Sequence, residues 1–345
     1  MIAYLDNAAT TRVLPEVADT MRDVMLNDFG NPSSKHEMGI AAEKYLTAAR
    51  ETIAKVLKCK PKEIYFTSGG TESNNQALIA AAEANKRTGM HIITSRIEHS
   101  SILKPCEELE RRGFSVTYLP VNKNGQVEAE TLKNALQDDT ILVSIMHVNN
   151  EIGSVNDIAA LSAVIKEANK DRDKKSRIIF HTDAIQSFGK IKVLPEKLGV
   201  DMLSVSGHKL HGPKGIGFIY VKDGTKVTPY IFGGGQEKGF RSGTQNVPGI
   251  AGLSTAVESI FKGHDEKIEN LYKLKEYMIG GLTQIEGAHI NGINGVDVRE
   301  TAPHVVSVTF DGIKSEVLLN ALSDKGVYIS SGSACSSNRP ELSGT

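Results

Sequence analysis

Asp201-Met202-Leu203-Ser204-Val205-Ser206-Gly207-His208-Lys209-Leu210-His211-Gly212-Pro213-Lys214-Gly215 sets a short β-rich run directly against a polar, glycine-bearing segment with a lysine near its start. Residues 201–205 read as a strand, and 217–221 as the next one. Working outward, similar short runs at 63–66, 91–94, 115–119, 141–145 and 178–181 alternate with stretches of helical spacing at 73–86, 101–112 and 158–169, and a helix at 37–57 precedes them. Such alternation predicts an α/β fold, a mostly parallel sheet sandwiched by helices. After Gly233-Gly234-Gly235 the pattern changes to long helices over 249–285, a strand at 305–310, a helix at 315–325 and a short strand at 327–329, which predicts a smaller α+β domain. At 345 residues the chain exceeds the usual size of a single core. The expected division is a large domain over 15–257 and a small one made of 1–14 with 258–345.

A net charge of −1 argues against nucleic acid as a direct partner. No apolar stretch approaches the ~20 residues of a membrane span, and the N-terminus lacks the basic start of a signal peptide. The expectation is a cytoplasmic protein without a membrane contact. The three cysteines, Cys59, Cys106 and Cys335, form no CxxC pair, so neither a disulfide framework nor a zinc ribbon is supported.

In open α/β sheets ligands bind beyond the carboxyl ends of the strands, and four polar segments fall there. Thr67-Ser68-Gly69-Gly70-Thr71-Glu72 leaves a strand and opens a helix, which suits either a phosphate or an ordinary helix start. Asp183 follows the apolar Ile178-Ile179-Phe180. It is either a helix cap or a buried carboxylate that needs a cation, such as a protonated pyridine nitrogen. Lys209, among small residues, is either a surface cation or a desolvated Schiff-base former. His208 and His211 have no carboxylate or cysteine at a supporting spacing, so no resident metal is expected. Cys335, in Ser330-Ser331-Gly332-Ser333-Ala334-Cys335-Ser336-Ser337, has the polar surroundings of a reactive thiol, whereas Cys59 and Cys106 sit beside Leu57 and Leu103 like core residues.

Taken in order, Asp6-Asn7-Ala8-Ala9-Thr10-Thr11, Gly30-Asn31-Pro32-Ser33-Ser34-Lys35-His36, the turn at 67–75, Glu98-His99, Met146-His147-Val148-Asn149-Asn150-Glu151, the Asp183 and Lys209 segments, Arg241-Ser242-Gly243-Thr244 and the Cys335 segment resemble the cysteine desulfurases of the NifS/IscS type, in the class V aminotransferases. The resemblance implies the aminotransferase-like fold type I, a homodimer and the cofactor pyridoxal 5'-phosphate (PLP). It assigns catalysis to Lys209, His99 and Cys335. By matching positions, Lys209 would hold the cofactor, Gly70, Thr71, Ser206 and His208 its phosphate, and Thr244 the phosphate of the other subunit. Asp183 would pair with the ring nitrogen, Gln186 with the ring hydroxyl, and His99 would stack on the ring. Asn150, Asn7 and Asn31 would serve the substrate, L-cysteine.

Cys335 would take the sulfur as a persulfide and pass it to an acceptor, an iron–sulfur scaffold or a tRNA-thiolation enzyme, with transient contact to a cluster at most. The segment Ser-Ser-Gly-Ser-Ala-Cys resembles the branch with a long loop rather than the selenocysteine lyases. The sequence ends at Thr345, ten residues after Cys335, whereas members of the family continue with an arginine that grips the substrate carboxylate. Either the sequence is a piece of a longer one or this protein binds substrate differently; if the tail is missing from the molecule itself, cofactor binding is expected to survive better than turnover. Competing expectations are an aminotransferase or lyase of the same fold that does not use Cys335, and a sulfur-carrying scaffold; the complete cofactor cradle argues against the scaffold.

Overall fold

The computed structural model describes residues 2–332 and Thr345. A two-residue strand β1 (Ala3–Tyr4) opens the chain, and α1 (Pro15–Leu26) follows, with Pro15 in its first turn where the missing N–H costs nothing. Helix α2 (Glu37–Leu57) is capped by His36, whose side chain accepts from Gly39 N. Then come β2 (Ile64–Thr67), α3 (Gly70–Asn75), one wide π turn over Gln76–Ala80 and α4 (Ala81–Asn85). The alternation continues with β3 (His91–Ser95), α5 (Ser100–Arg111), β4 (Ser115–Leu119), α6 (Ala129–Ala135), β5 (Thr140–Ser144), α7 (Ile158–Ala168), β6 (Ile179–Asp183), α8 (Pro195–Leu198), β7 (Met202–Ser206) and β8 (Gly217–Val221).

Strands β2 to β8 form one sheet in the order β2-β8-β7-β6-β5-β3-β4. The pairs from β7 to β4 are parallel, whereas β8 runs antiparallel to both β2 and β7. Only β8 is therefore reversed. The register Thr67↔Gly217↔Ser206 brings the carboxyl end of β2 to the same edge as that of β7, so six strands deliver their carboxyl ends to one side of the sheet.

Successive residues along the strands alternate between two cores, as a pleated strand buried on both faces requires. Ile93, Val143, Phe180, Leu203 and Phe218 face one cluster with Leu46, Ile53, Leu161 and Leu253. Ile92, Leu142, Ile179, Met202 and Ile219 face the other with Leu78, Ile102, Cys106 and Leu109. Cys106 is buried and Cys59 half-buried, and burial raises both thiols, Cys59 to about 12. Both are core residues with little thiolate.

The remainder consists of α9 (Val247–Phe261), α10 (His264–Leu282), the antiparallel pair β9 (Ala288–Ile290) and β10 (Val308–Phe310), α11 (Ser315–Asp324) and β11 (Val327–Tyr328). β1 pairs in parallel with β11, so the first and last strands of the described chain lie side by side. The strand expected over 305–310 is limited to Val308–Phe310, because Pro303 to Val306 line a cleft instead of pairing. No helix among the described residues is long and apolar enough to cross a membrane.

Candidate active site

The carboxyl ends of the strands open into a cleft of about 650 Å³. The connections after β2, β3, β5, β6 and β7 each supply part of its wall. Gly70 and Thr71 come from the turn after β2, His99 from the one after β3, Asn150 from the loop after β5, Asp183 and Gln186 from the end of β6, and Ser206, His208 and Lys209 from the end of β7. Asn7 enters from the N-terminal segment. These ten of the expected site residues are brought together. Asn31 and Thr244 are exposed and do not line the cleft of their own chain; Asn31 caps a local turn through Ser33 N. Cys335 lies outside the described residues, but Ser330 and Gly332, just before it in sequence, line the same cleft.

Asp183, the last residue of β6, is 5% exposed. Its Oδ1 accepts from Ile185 N at 2.9 Å and its Oδ2 from Asn74 Nδ2 at 2.7 Å. Burial pushes the carboxyl above its usual range, against those two hydrogen bonds and the nearby His99 and Lys209. His99 caps α5: its Nδ1 faces Ser101 N at 3.1 Å and Ser101 Oγ at 2.8 Å. Burial lowers the His99 pKa, with the Asp183 carboxylate opposing. Burial, helped by Lys209 and Lys214, lowers His208 to about 4, so it is neutral at pH 7.

Lys209 Nζ donates to the carbonyls of Ala8 at 2.5 Å and Ala9 at 2.7 Å. Gln186 Nε2 donates to the same Ala8 carbonyl at 2.9 Å. Thr11 ties the segment further, donating from N and Oγ1 to His208 O. The conformation of residues 8–11 is thus set by the cleft.

Pyridoxal phosphate fits this donor set. A buried carboxylate with a raised pKa is stabilised by a cation, which a protonated ring nitrogen provides. At Gly70 an added Cβ would lie 2.2 Å from Ile185 Cδ1, so Ile185 would have to shift for any side chain there, and the glycine leaves the backbone at the start of α3 open to close approach by a phosphate. The preceding Gly69 has φ +149°, a conformation that opens the turn beside Ser206 Oγ.

Several lining residues carry no signal of their own in the sequence: Lys190, Lys275 and His304 also face the cleft. Asn74, by contrast, sits inside the quoted turn 67–75, and its place one helical turn beyond Gly70 could have marked it as a partner for a strand-end carboxylate.

A sheet with one reversed strand, a strand-end lysine and a buried carboxylate in the same cleft define a pyridoxal-phosphate enzyme of fold type I. The family described as Aminotransferase class-V matches residues 3–344. The cysteine desulfurase IscS of Methanosarcina thermophila is 45% identical over 340 residues, spanning 99% of this chain and 81% of that protein. A solved NifS-like protein is 42% identical with a TM-score of 0.90, covering 96% of this chain and 88% of its own. SspA, solved in complex with cysteine, is 37% identical with a TM-score of 0.79, covering 98% and 92%. The chain belongs to the class-V aminotransferases and, within them, to the group of NifS/IscS-type cysteine desulfurases.

Proposed function

We propose that this protein is a pyridoxal-phosphate-dependent cysteine desulfurase that converts L-cysteine to L-alanine and stores the sulfur as a persulfide on Cys335. The observation that carries the reading is the lining of one cleft by Lys209, Asp183 and His99 together with Ser330 and Gly332, the residues that lead into the cysteine segment. Cys335 is three positions beyond Gly332 in sequence, a reach of at most about 11 Å for an extended chain.

When bound, pyridoxal phosphate supplies an electron sink for the substrate Cα. Asp183 would keep a proton on the ring nitrogen, and His99 would cover the ring. Gly70, Thr71, Ser206 and His208 hold the phosphate, joined by Thr244 of the partner subunit in a homodimer. Asn150, with Asn7 and Asn31, orients the substrate carboxylate. Lys209 would hold the cofactor through its amine and, when that amine is free, would carry a proton to and from the substrate Cα. The Cys335 thiolate attacks the substrate sulfur. An S–S bond forms as the Cβ–S bond breaks, and Cβ gains a proton to become the methyl of alanine. An ordinary thiol is only a few per cent thiolate at neutral pH, so lowering the thiol pKa by about one unit would raise the reactive fraction several-fold.

The persulfide then passes to an acceptor protein, an iron–sulfur scaffold or a tRNA-thiolation enzyme, in the cytoplasm. In this reading residues 15–257 carry the cofactor, and residues 1–14 with 258–345 form the small domain that carries the cysteine. The test is direct. Protein loaded with pyridoxal phosphate should release alanine from L-cysteine, and a separate sample of it reduced with borohydride should carry the cofactor on Lys209. Cys335→Ala should keep the yellow cofactor and lose alanine formation; full turnover by that variant would point instead to a lyase that bypasses the thiol.

A further inference from the structure

Gln186 is 6% exposed and its side-chain amide is held from two sides. Its Nε2 donates to Ala8 O at 2.9 Å, and its Oε1 lies 3.0 Å from His304 Nε2. An amide oxygen only accepts, so His304 must donate from Nε2, and its tautomer follows: Nε2 carries the proton and Nδ1 does not. Nδ1 is buried with no hydrogen-bond partner among the described residues. Burial, with Lys190, Lys275 and Lys209 nearby, lowers His304 to about 3. The ring stays neutral at working pH, and its single proton stays on the nitrogen that faces Gln186.

The backbone that presents His304 is itself pinned. Lys275 Nζ donates to Thr301 Oγ1 at 2.6 Å and to Ala302 O at 2.8 Å, and Ala302 N donates to Gly153 O at 2.8 Å. With its oxygen taken by His304 and one N–H by Ala8, Gln186 keeps one further N–H to offer.

We propose that His304 is a positioning residue of the cofactor site: its Nε2–H fixes the carbonyl of Gln186, so that the amide presents its remaining N–H to the ring oxygen of pyridoxal phosphate. This rests on the reading above that Gln186 meets that oxygen. Without His304 the amide can rotate, exchanging its oxygen for its nitrogen and setting a lone pair against the cofactor oxygen.

The experiment titrates pyridoxal phosphate into cofactor-free full-length protein. It follows affinity by fluorescence and the absorbance band of the loaded protein across pH, for His304→Ala, His304→Gln, Gln186→Ala and the double variant His304→Ala/Gln186→Ala. Loss of one hydrogen bond predicts about fivefold weaker binding in His304→Ala, with a shifted band. His304→Gln, whose Nε2 can occupy the place of the imidazole Nε2, should restore both. The double variant should bind no more weakly than Gln186→Ala alone, since the two act through one contact. Unchanged affinity and band in His304→Ala, while Gln186→Ala weakens binding, would overturn the role of His304 alone. Effects that add in the double variant, or a folded His304→Gln that restores nothing, would do the same. A Gln186→Ala protein with wild-type affinity and band would sink the reading of Gln186, and with it the role of His304.

Discussion

Two buried carboxylates stand a few residues from the chemistry, and their environments differ in a way that mutation can read. Asp183 is held by donors and needs a cation, so Asp183→Asn should leave the protein folded but cut alanine release by about a hundredfold or more, the usual cost of removing a charge aimed at the reacting system. Turnover within a few-fold of wild type would contradict its place at the ring nitrogen. Glu98, next to His99, is 5% exposed; its Oε1 accepts from Ser95 Oγ at 2.7 Å and Met146 N at 2.9 Å, while its Oε2 has no partner among the described residues. Burial raises its pKa from 4.5 to about 8, opposed by those hydrogen bonds. Between these two values the native state holds a proton that the unfolded chain has released, so this group makes stability fall as pH rises through the window. Glu98→Gln, which copies the protonated form, should be more stable than wild type at pH 8 by on the order of 2 kcal/mol and little different at pH 4.5, in urea melts at the two pH values. Equal stability at both would show that Glu98 ionises freely in the fold.

Among elements, the edge strand β2 depends on a buried ion pair at its flank. Arg50 on α2 makes two hydrogen bonds to Glu237, at 2.7 and 2.9 Å, and donates to Ile64 O; Glu237 also accepts from Phe66 N. The Glu237 side chain is 1% exposed. Arg50→Met would leave that carboxylate buried without its cation, and a loss of about 3 kcal/mol in a denaturant melt is expected. A loss below about 1 kcal/mol would show that the site relaxes or takes up water. The elements were legible in the sequence where pattern and length agree. The β-rich runs at 115–119 and 217–221 and the helix at 37–57 form over those residues, because their apolar spacing is the packing itself. The reversal of β8 was not legible, since a fully buried strand reads the same in either direction. The helix over 73–86 starts earlier, at Gly70, and contains a π turn, since the glycine turn that suits a phosphate also begins the helix.

For the molecule as a whole, the order of the motifs placed Lys209, Asp183, His99 and the turn at Gly70 in one cleft, because each ends or follows a strand whose direction the alternation fixed. The sequence could not place His304 or Lys275, which come from a region whose spacing reports helices and strands but not what they face. Asn31 and Thr244 are exposed in the single chain; in the proposed homodimer Thr244 would reach the neighbouring cofactor. Sedimentation at micromolar concentration should therefore find a dimer, and Thr244→Ala should weaken cofactor binding about tenfold, the scale of one charge-assisted hydrogen bond. A monomer that binds pyridoxal phosphate with full affinity would contradict this assembly. In the proposed reaction the cleft and the thiol act together, the cofactor residues loosening a Cβ–S bond and the cysteine receiving the sulfur. Mass spectrometry of the purified, cofactor-loaded protein after a brief incubation with L-cysteine tests it most directly. One added sulfur on the peptide that contains Cys335, removed by a reductant and missing in Lys209→Ala, is the predicted result; alanine accumulating while that peptide gains no sulfur would contradict it.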